Sequence, residues 1–375
     1  MANILMINLP YAGHTNPTLP LAKSLVKKGH LVSYINAEEF RSEIEAAGAA
    51  FIPYINYPDS PDEQQKKKLC FRAAFDTALS LTGDYDLLIY EMFFYPGLQI
   101  AKRLGIPCVR QFSQPAWNKN TMAFASRMFK ISCTLIDRQV MGKQNAAYMG
   151  LPHSSLADAV TNDRPALNIV YVSQKFQPCR DSFGEDYIFV PPMPEPEADM
   201  PTSDIPYRQM RRPIAYISLG SIISNRGFYK ECIRAFGRKP LSVILNTGKI
   251  HPQSLGNIPE NIYAYSFVPQ KEVLRHADVF LTHCGMNSVN EAISCGVPMV
   301  AMPFVNDQIS NARRIVELGI GKRVRSFPSR GKELYQTVDY VLRDKAMKDR
   351  CVRLQLLLQT ETSMEEAVER IETLL

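Results

Sequence analysis

The chain has no apolar run long enough to span a bilayer, and no basic, apolar and small-residue leader at its start; Met1-Ala2-Asn3 leads at once into Ile4-Leu5-Met6-Ile7. No membrane span and no secretion signal are expected. Eight cysteines are scattered without a Cys-x-x-Cys pair or a metal-like grouping. That predicts reduced thiols and a cytoplasmic protein rather than a disulfide framework. Excess charge is also scarce: a net +6 over 375 residues is too little to argue for a nucleic-acid partner. Residues 1–197 hold 19 Lys+Arg and 19 Asp+Glu, so the whole excess lies beyond them. An anionic ligand in the second half fits that distribution, as does a merely basic surface.

With 46% hydrophobic and 21% charged residues the composition is globular, and the length exceeds one ordinary core, so two domains are expected. Apolar strands alternate with helical patterns from the first residues: 3–9, a helix from 19 to 26, 31–35, a helix from 39 to 47, 50–55, 87–90, a helix from 98 to 104, 107–112, 168–172 and 187–190. This predicts an α/β class with a doubly wound parallel sheet. Two segments interrupt the pattern: a polar stretch, 57–68, read as a mobile loop, and a Met/Phe-rich run, 120–150, read as helices along an apolar cleft. Seven prolines in the 23 residues 191–213 mark an interdomain linker. The alternation then restarts at 213–219 and ends in helices from 333 to 375. The expected division is 1–195, a linker 196–213, and 214–375.

Residues 283–308 carry the densest signal. The apolar run Val279 to Thr282 is followed by His283-Cys284-Gly285-Met286-Asn287-Ser288 and a helical pattern through Val289, Ala292 and Ile293. Gly285 permits close approach of a ligand to the backbone, and Ser288 with Glu291 has the spacing of a helix-opening capping box. Free N–H groups at such a helix start suit a phosphate. The next buried strand, 296–303, leads to Asn306-Asp307-Gln308 at its carboxyl end, where ligands bind in open parallel sheets. Near the start of the chain, Gly13-His14-Thr15-Asn16-Pro17 follows the first strand, with Thr15 or Asn16 as the expected helix cap and Pro17 in the first turn.

Together with Phe267-Val268-Pro269-Gln270, this 42-residue stretch, 267–308, resembles the donor-binding signature of the UDP-glycosyltransferase superfamily (glycosyltransferase family 1). Met286 and Asp307-Gln308 point to its bacterial macrolide-glycosyltransferase-like branch. The plant signature usually has Trp at positions 267 and 286. The resemblance implies the GT-B architecture, two Rossmann-like domains facing a cleft, with the last helix crossing back onto the first domain. It also implies a UDP-sugar donor, with glucose favoured, and a small hydroxylated apolar acceptor such as a flavonoid or macrolide. Transfer is expected to be metal-independent and inverting, without a cofactor, by a monomer or dimer.

A sugar transfer to an alcohol needs a base, and a histidine with an ordinary pKa of about 6.5 suits that task. His14 stands where the family keeps its catalytic histidine. Glu91, at the end of strand 87–90, stands where the family usually has Asp to orient that base. The diphosphate is assigned to His283, Gly285, Asn287 and Ser288, with Met286 in the same donor site and Gly220-Ser221 as a second cradle. Glu291 takes the ribose, Phe267, Val268 and Gln270 the uracil, and Asp307 and Gln308 the sugar. The apolar acceptor is assigned to Tyr11, Phe93, Ser113, Trp117, Met122 and Phe124. Three rivals stay open: a sugar-nucleotide epimerase, a non-catalytic binder of the same fold, and a lipid-intermediate transferase of the cell envelope.

Overall fold

In the computed structural model the described residues are 1–124, 134, 142–152, 155–192, 203–220, 223, 225–304, 307–325 and 331–375. They form two compact units, Met1–Pro191 with Glu361–Leu375, and Pro192–Thr360.

The first unit is built on a sheet of seven parallel strands among the described residues: β1 (Asn3–Ile7), β2 (Leu31–Asn36), β3 (Ala50–Pro53), β4 (Leu87–Glu91), β5 (Cys108–Phe112), β6 (Leu167–Val170) and β7 (Tyr187–Phe189). Their spatial order is β3-β2-β1-β4-β5-β6-β7. The central strands show no in-out alternation because both faces of the sheet are covered; all five residues of β4 and of β5 are buried, Glu91, Arg110 and Gln111 included. Each fully buried Leu or Ile there contributes about 1.5–3 kcal/mol relative to exposure. The helix Met364–Glu372 puts Ala367, Val368 and Ile371 into the same core as Leu21, Ala22 and Leu25 of the helix Leu19–Lys27. Ser363 and Glu366 close a reciprocal capping box at its start.

The second unit repeats the plan with β8 (Ile214–Ser218), β9 (Ser242–Asn246), β10 (Ile262–Tyr265), β11 (Val279–Thr282), β12 (Met299–Ala301) and β13 (Gly321–Arg323), in the order β10-β9-β8-β11-β12-β13. In both sheets the winding reverses beside the first strand: β1 lies between β2 and β4, and β8 between β9 and β11. At such a reversal the loops leaving two neighbouring strands diverge to opposite faces and open a crevice at the carboxyl edge.

Three expectations need correction or restriction. The stretch 57–68 is not a loop throughout, because Asp62 caps the helix Glu63–Ser80 with a full capping box to Gln65. Lys66, on the first turn, pairs with Glu39 at 2.6 Å. In the Met/Phe-rich run the structure has the helices Lys119–Phe124 and Gly142–Met149; residues 125–133 and 135–141 lie outside the described residues. Of the expected linker, 196–202 lies outside them too, whereas Tyr207 stacks on His276 with ring centroids 3.8 Å apart. Among the described residues, no helix is long and apolar enough to cross a membrane.

Candidate functional site

At the carboxyl end of β1 the chain makes one helical turn, Ala12–Thr15, then a tight turn through Asn16–Thr18 before the helix Leu19–Lys27 begins. No side chain caps these starts, so the expected cap at Thr15 or Asn16 is not formed. Thr15 instead donates its hydroxyl to the Leu9 carbonyl (3.2 Å) and accepts from Asn36 Nδ2 (2.9 Å). Asn8, wholly buried, donates Nδ2 to the His14 carbonyl at 2.9 Å and to Thr18 Oγ1 at 3.2 Å. The turn is thus held from below by strand-end asparagines.

This places His14 Nδ1 3.2 Å from Glu91 Oε1; the imidazole is a quarter exposed and the carboxylate wholly buried. The two atoms are at ion-pair distance but not aligned as a hydrogen bond. The other oxygen of Glu91 accepts from the Phe93 amide at 3.1 Å, which fixes the carboxylate from behind. The longer side chain of Glu therefore reaches the histidine. Nδ1 is turned to the carboxylate, and Nε2 is the far nitrogen of the ring. Aromatic rings surround it: Phe93 at 4.8 Å and Tyr11 at 5.6 Å between centroids, with Trp117 edge-on to Phe93 at 6.0 Å. Of the other residues assigned to the acceptor, Ser113 is buried beyond β5 and Met122 half-buried on the helix Lys119–Phe124. The side chain of Phe124 lies outside the described residues.

The second crevice lies between the ends of β8 and β11. Gly220 has φ +73°, and a Cβ there would sit 2.6 Å from His283 Cε1. A Cβ on Gly285 would sit 2.5 Å from His283 Nε2. The imidazole is therefore wedged between two glycines, each needed for the room it leaves. Burial pushes its pKa down to about 4, and its Nδ1 is buried without a hydrogen-bond partner. A neutral ring offers a hydrogen bond rather than a charge. An anion at that position would favour protonation again.

The helix Met286–Ser294 begins at Gly285, which offers no side chain as a cap. The capping box expected from Ser288 and Glu291 is not formed, because the helix starts three residues earlier and Ser288 is already in its first turn. Both residues serve another purpose. Gln270 Nε2 donates to Ser288 Oγ at 3.0 Å and to Glu291 Oε2 at 2.6 Å, while Gln270 Oε1 accepts from Tyr216 at 3.0 Å. Gln270, assigned above to the base edge, is thus engaged in holding Glu291. Without a capping side chain, the amides of 286–288 remain available to an anion.

Phe267 is 81% exposed just past β10, whereas Val268 and Met286 are buried, so that only the backbone of Val268 can meet a ligand. Asp307 opens the helix Asp307–Glu317, and Gln308 Oε1 accepts from the Phe304 amide at 2.9 Å. Ser221 and Asn306 lie outside the described residues. One triplet, Asp84-Tyr85-Asp86, has the Asp-x-Asp form of a metal motif. It sits at the wrong end of its strand: Asp86 accepts from the Asn3 amide at 2.7 Å, across the sheet from Glu91. Sequence reasoning missed Asn8, Asn36 and Tyr216. The available signal for the first two was a buried polar residue at or just past the end of an apolar strand.

A family model described as UDP-glucoronosyl and UDP-glucosyl transferase matches residues 194–369. The NDP-glycosyltransferase YjiC of Bacillus licheniformis is 33% identical over 394 residues, covering 100% of this chain and 98% of that protein. The oleandomycin glycosyltransferase of Streptomyces antibioticus is 26% identical, covering 99% of this chain and 90% of its own. Among solved structures, the glycotransferase of kitacinnamycin superposes with a TM-score of 0.84 at 26% identity, covering 100% and 99% of the two chains. The chain belongs to the UDP-glycosyltransferase family and is a glycosyltransferase of the natural-product type with GT-B domains.

Proposed function

We propose that the enzyme moves glucose from UDP-glucose to a hydroxyl of a small apolar natural product of macrolide or flavonoid type, with inversion at the anomeric carbon. The observation that carries this reading is the His14–Glu91 pair, 3.2 Å apart at a strand reversal and flanked by Tyr11 and Phe93, with Trp117 against Phe93. His14 Nε2 takes the acceptor proton, and Glu91 steadies the imidazolium that forms. The acceptor oxygen attacks the anomeric carbon from the face opposite the leaving group. The bond to the diphosphate oxygen breaks, and its electron pair leaves on UDP. Amides at the start of the helix Met286–Ser294 and the N–H of His283 stabilise the departing charge, with no metal required. Glu291, held by Gln270, takes the ribose hydroxyls, Phe267 stacks on the base, and Asp307 with Gln308 meets the sugar.

A macrolide acceptor is supported by the likeness to the oleandomycin glycosyltransferase, and an apolar aglycone by the aromatic ring around His14. A panel of flavonoid, macrolide and other acceptors with UDP-glucose and a dTDP-sugar, scored by product mass and in the presence of EDTA, tests the reading. Expected is a product one hexose heavier, formed undiminished in EDTA, with inverted anomeric configuration. Loss of activity in EDTA with rescue by magnesium would refute the metal-free mechanism. Absence of product with UDP-glucose but formation with a dTDP-sugar would move the donor.

A further inference from the structure

Cys284 stands between the wedged imidazole and the helix cap, and its backbone is left-handed, with φ +69°. For an L-residue that conformation is uncommon and persists only where the surroundings hold it. Two groups do so here. Thr282 Oγ1 accepts from the Cys284 amide at 3.1 Å, and Asn311 Nδ2 donates to the Cys284 carbonyl at 3.0 Å. Thr282 is local, whereas Asn311 comes from the helix Asp307–Glu317 and is 2% exposed. Its amide is therefore a long-range clamp on the one strained peptide of this turn.

We infer that Asn311 is a positioning residue of the donor site: by holding the Cys284 carbonyl it keeps the left-handed turn that sets both His283 and the first amides of the helix Met286–Ser294. The inference rests on the donor reading above for its link to affinity, and on geometry alone for the clamp. Released from Asn311, residue 284 relaxes toward negative φ and rotates the peptide leading into Gly285, the helix cap. The anion-binding amides and the imidazole then lose their common setting without any ligand contact being removed. Glycine takes positive φ without penalty, so a glycine at 284 makes the clamp unnecessary.

The test is a double-variant cycle on the full chain: wild type, Asn311→Ala, Cys284→Gly and both together, with UDP affinity by calorimetry and melting temperature for each. Expected is an about tenfold loss of UDP affinity in Asn311→Ala, the fold-change matching the left-handed preference of an L-residue. Cys284→Gly in that background restores most of it. An Asn311→Ala protein that binds UDP as wild type does overturns the inference, and so does a double variant as weak as the single one. The second outcome would mean that Asn311 acts through packing alone. If wild type binds neither UDP nor dTDP, the donor reading fails separately, and the clamp is judged on melting. It stands if Cys284→Gly raises the melting temperature more in Asn311→Ala than in wild type, and falls if the two changes are equal. Asn311→Ser replaces the alanine variant if the latter does not fold.

Discussion

Both sheets place a histidine at the carboxyl edge where the winding reverses, His14 after the first strand β1 and His283 after β11, the neighbour of the first strand β8, yet the two rings have different surroundings. His14 is partly exposed and faces a buried carboxylate at 3.2 Å. His283 is buried between two glycines, and desolvation holds it neutral, with a pKa down to about 4. Among the described acidic side chains, none is paired with His283 in the way that Glu91 is paired with His14. One ring thereby faces a buried carboxylate and the other only desolvation. The lesson is that residue type and fold position do not assign a role; the neighbour does, through charge in one case and through its absence in the other.

The largest break in this comparison is expected from His14→Ala. Turnover should fall about 100- to 10,000-fold, the usual range for a lost general base, while UDP affinity, read by calorimetry, stays within twofold. Equal damage to both quantities would mean that the first edge also binds the donor. Glu91 should show a smaller effect, roughly tenfold or more, since it orients the base rather than exchanging the proton. Glu91→Asp sharpens this: it withdraws the carboxylate from its 3.2 Å contact, and its turnover should fall nearly as far as that of Glu91→Ala. An aspartate variant as active as wild type would show that the backbone is not set for Glu.

On the second edge, Gly285→Ala inserts a Cβ 2.5 Å from His283 Nε2. The ring must move, and UDP affinity should drop about tenfold, in line with a lost hydrogen bond of 1–1.5 kcal/mol. An unchanged affinity would remove His283 from the donor site. The last expected effect is on stability alone. His283 resists protonation when folded, with a pKa near 4 against 6.5 when unfolded. The unfolded chain therefore binds a proton that the folded chain refuses. Its contribution is whole above pH 6.5 and is lost as pH falls toward 4. His283→Asn should flatten that part of the melting-temperature profile, and saturating UDP should flatten it in wild type. A profile with the same slope in the variant would place the acid sensitivity elsewhere.

Much of the site was legible because its residues are tied to strand ends that announce themselves as apolar runs: Ile4–Ile7 before His14, Leu87–Tyr90 before Glu91, Val279–Thr282 before His283. The helix start at Gly285 was not, since Ser288 and Glu291 match a capping box in sequence, and only tertiary bonds from Gln270 show that they are used otherwise. The helix Glu63–Ser80 was hidden by its polar first turn, although Asp62 and Gln65 carried its start signal. The asparagine bonds to the turns could not be read at all: Asn311 lies 27 residues from Cys284, and only the packed sheet brings them together. Nor could the reach of Glu91, which depends on where its backbone stands relative to β1.

The first unit is not finished by the residues that begin it. Its core is closed by Ala367, Val368 and Ile371, synthesised after the whole of Pro192–Thr360. At a translation rate of about 5–20 residues per second, the 169 residues between positions 191 and 361 take roughly 10–30 s to emerge. During that interval the nascent first unit has its strands but leaves the face around Leu21, Ala22 and Leu25 uncovered, while the second unit, continuous in sequence, can close its own core. The half of the chain that is made first is therefore the half that is completed last.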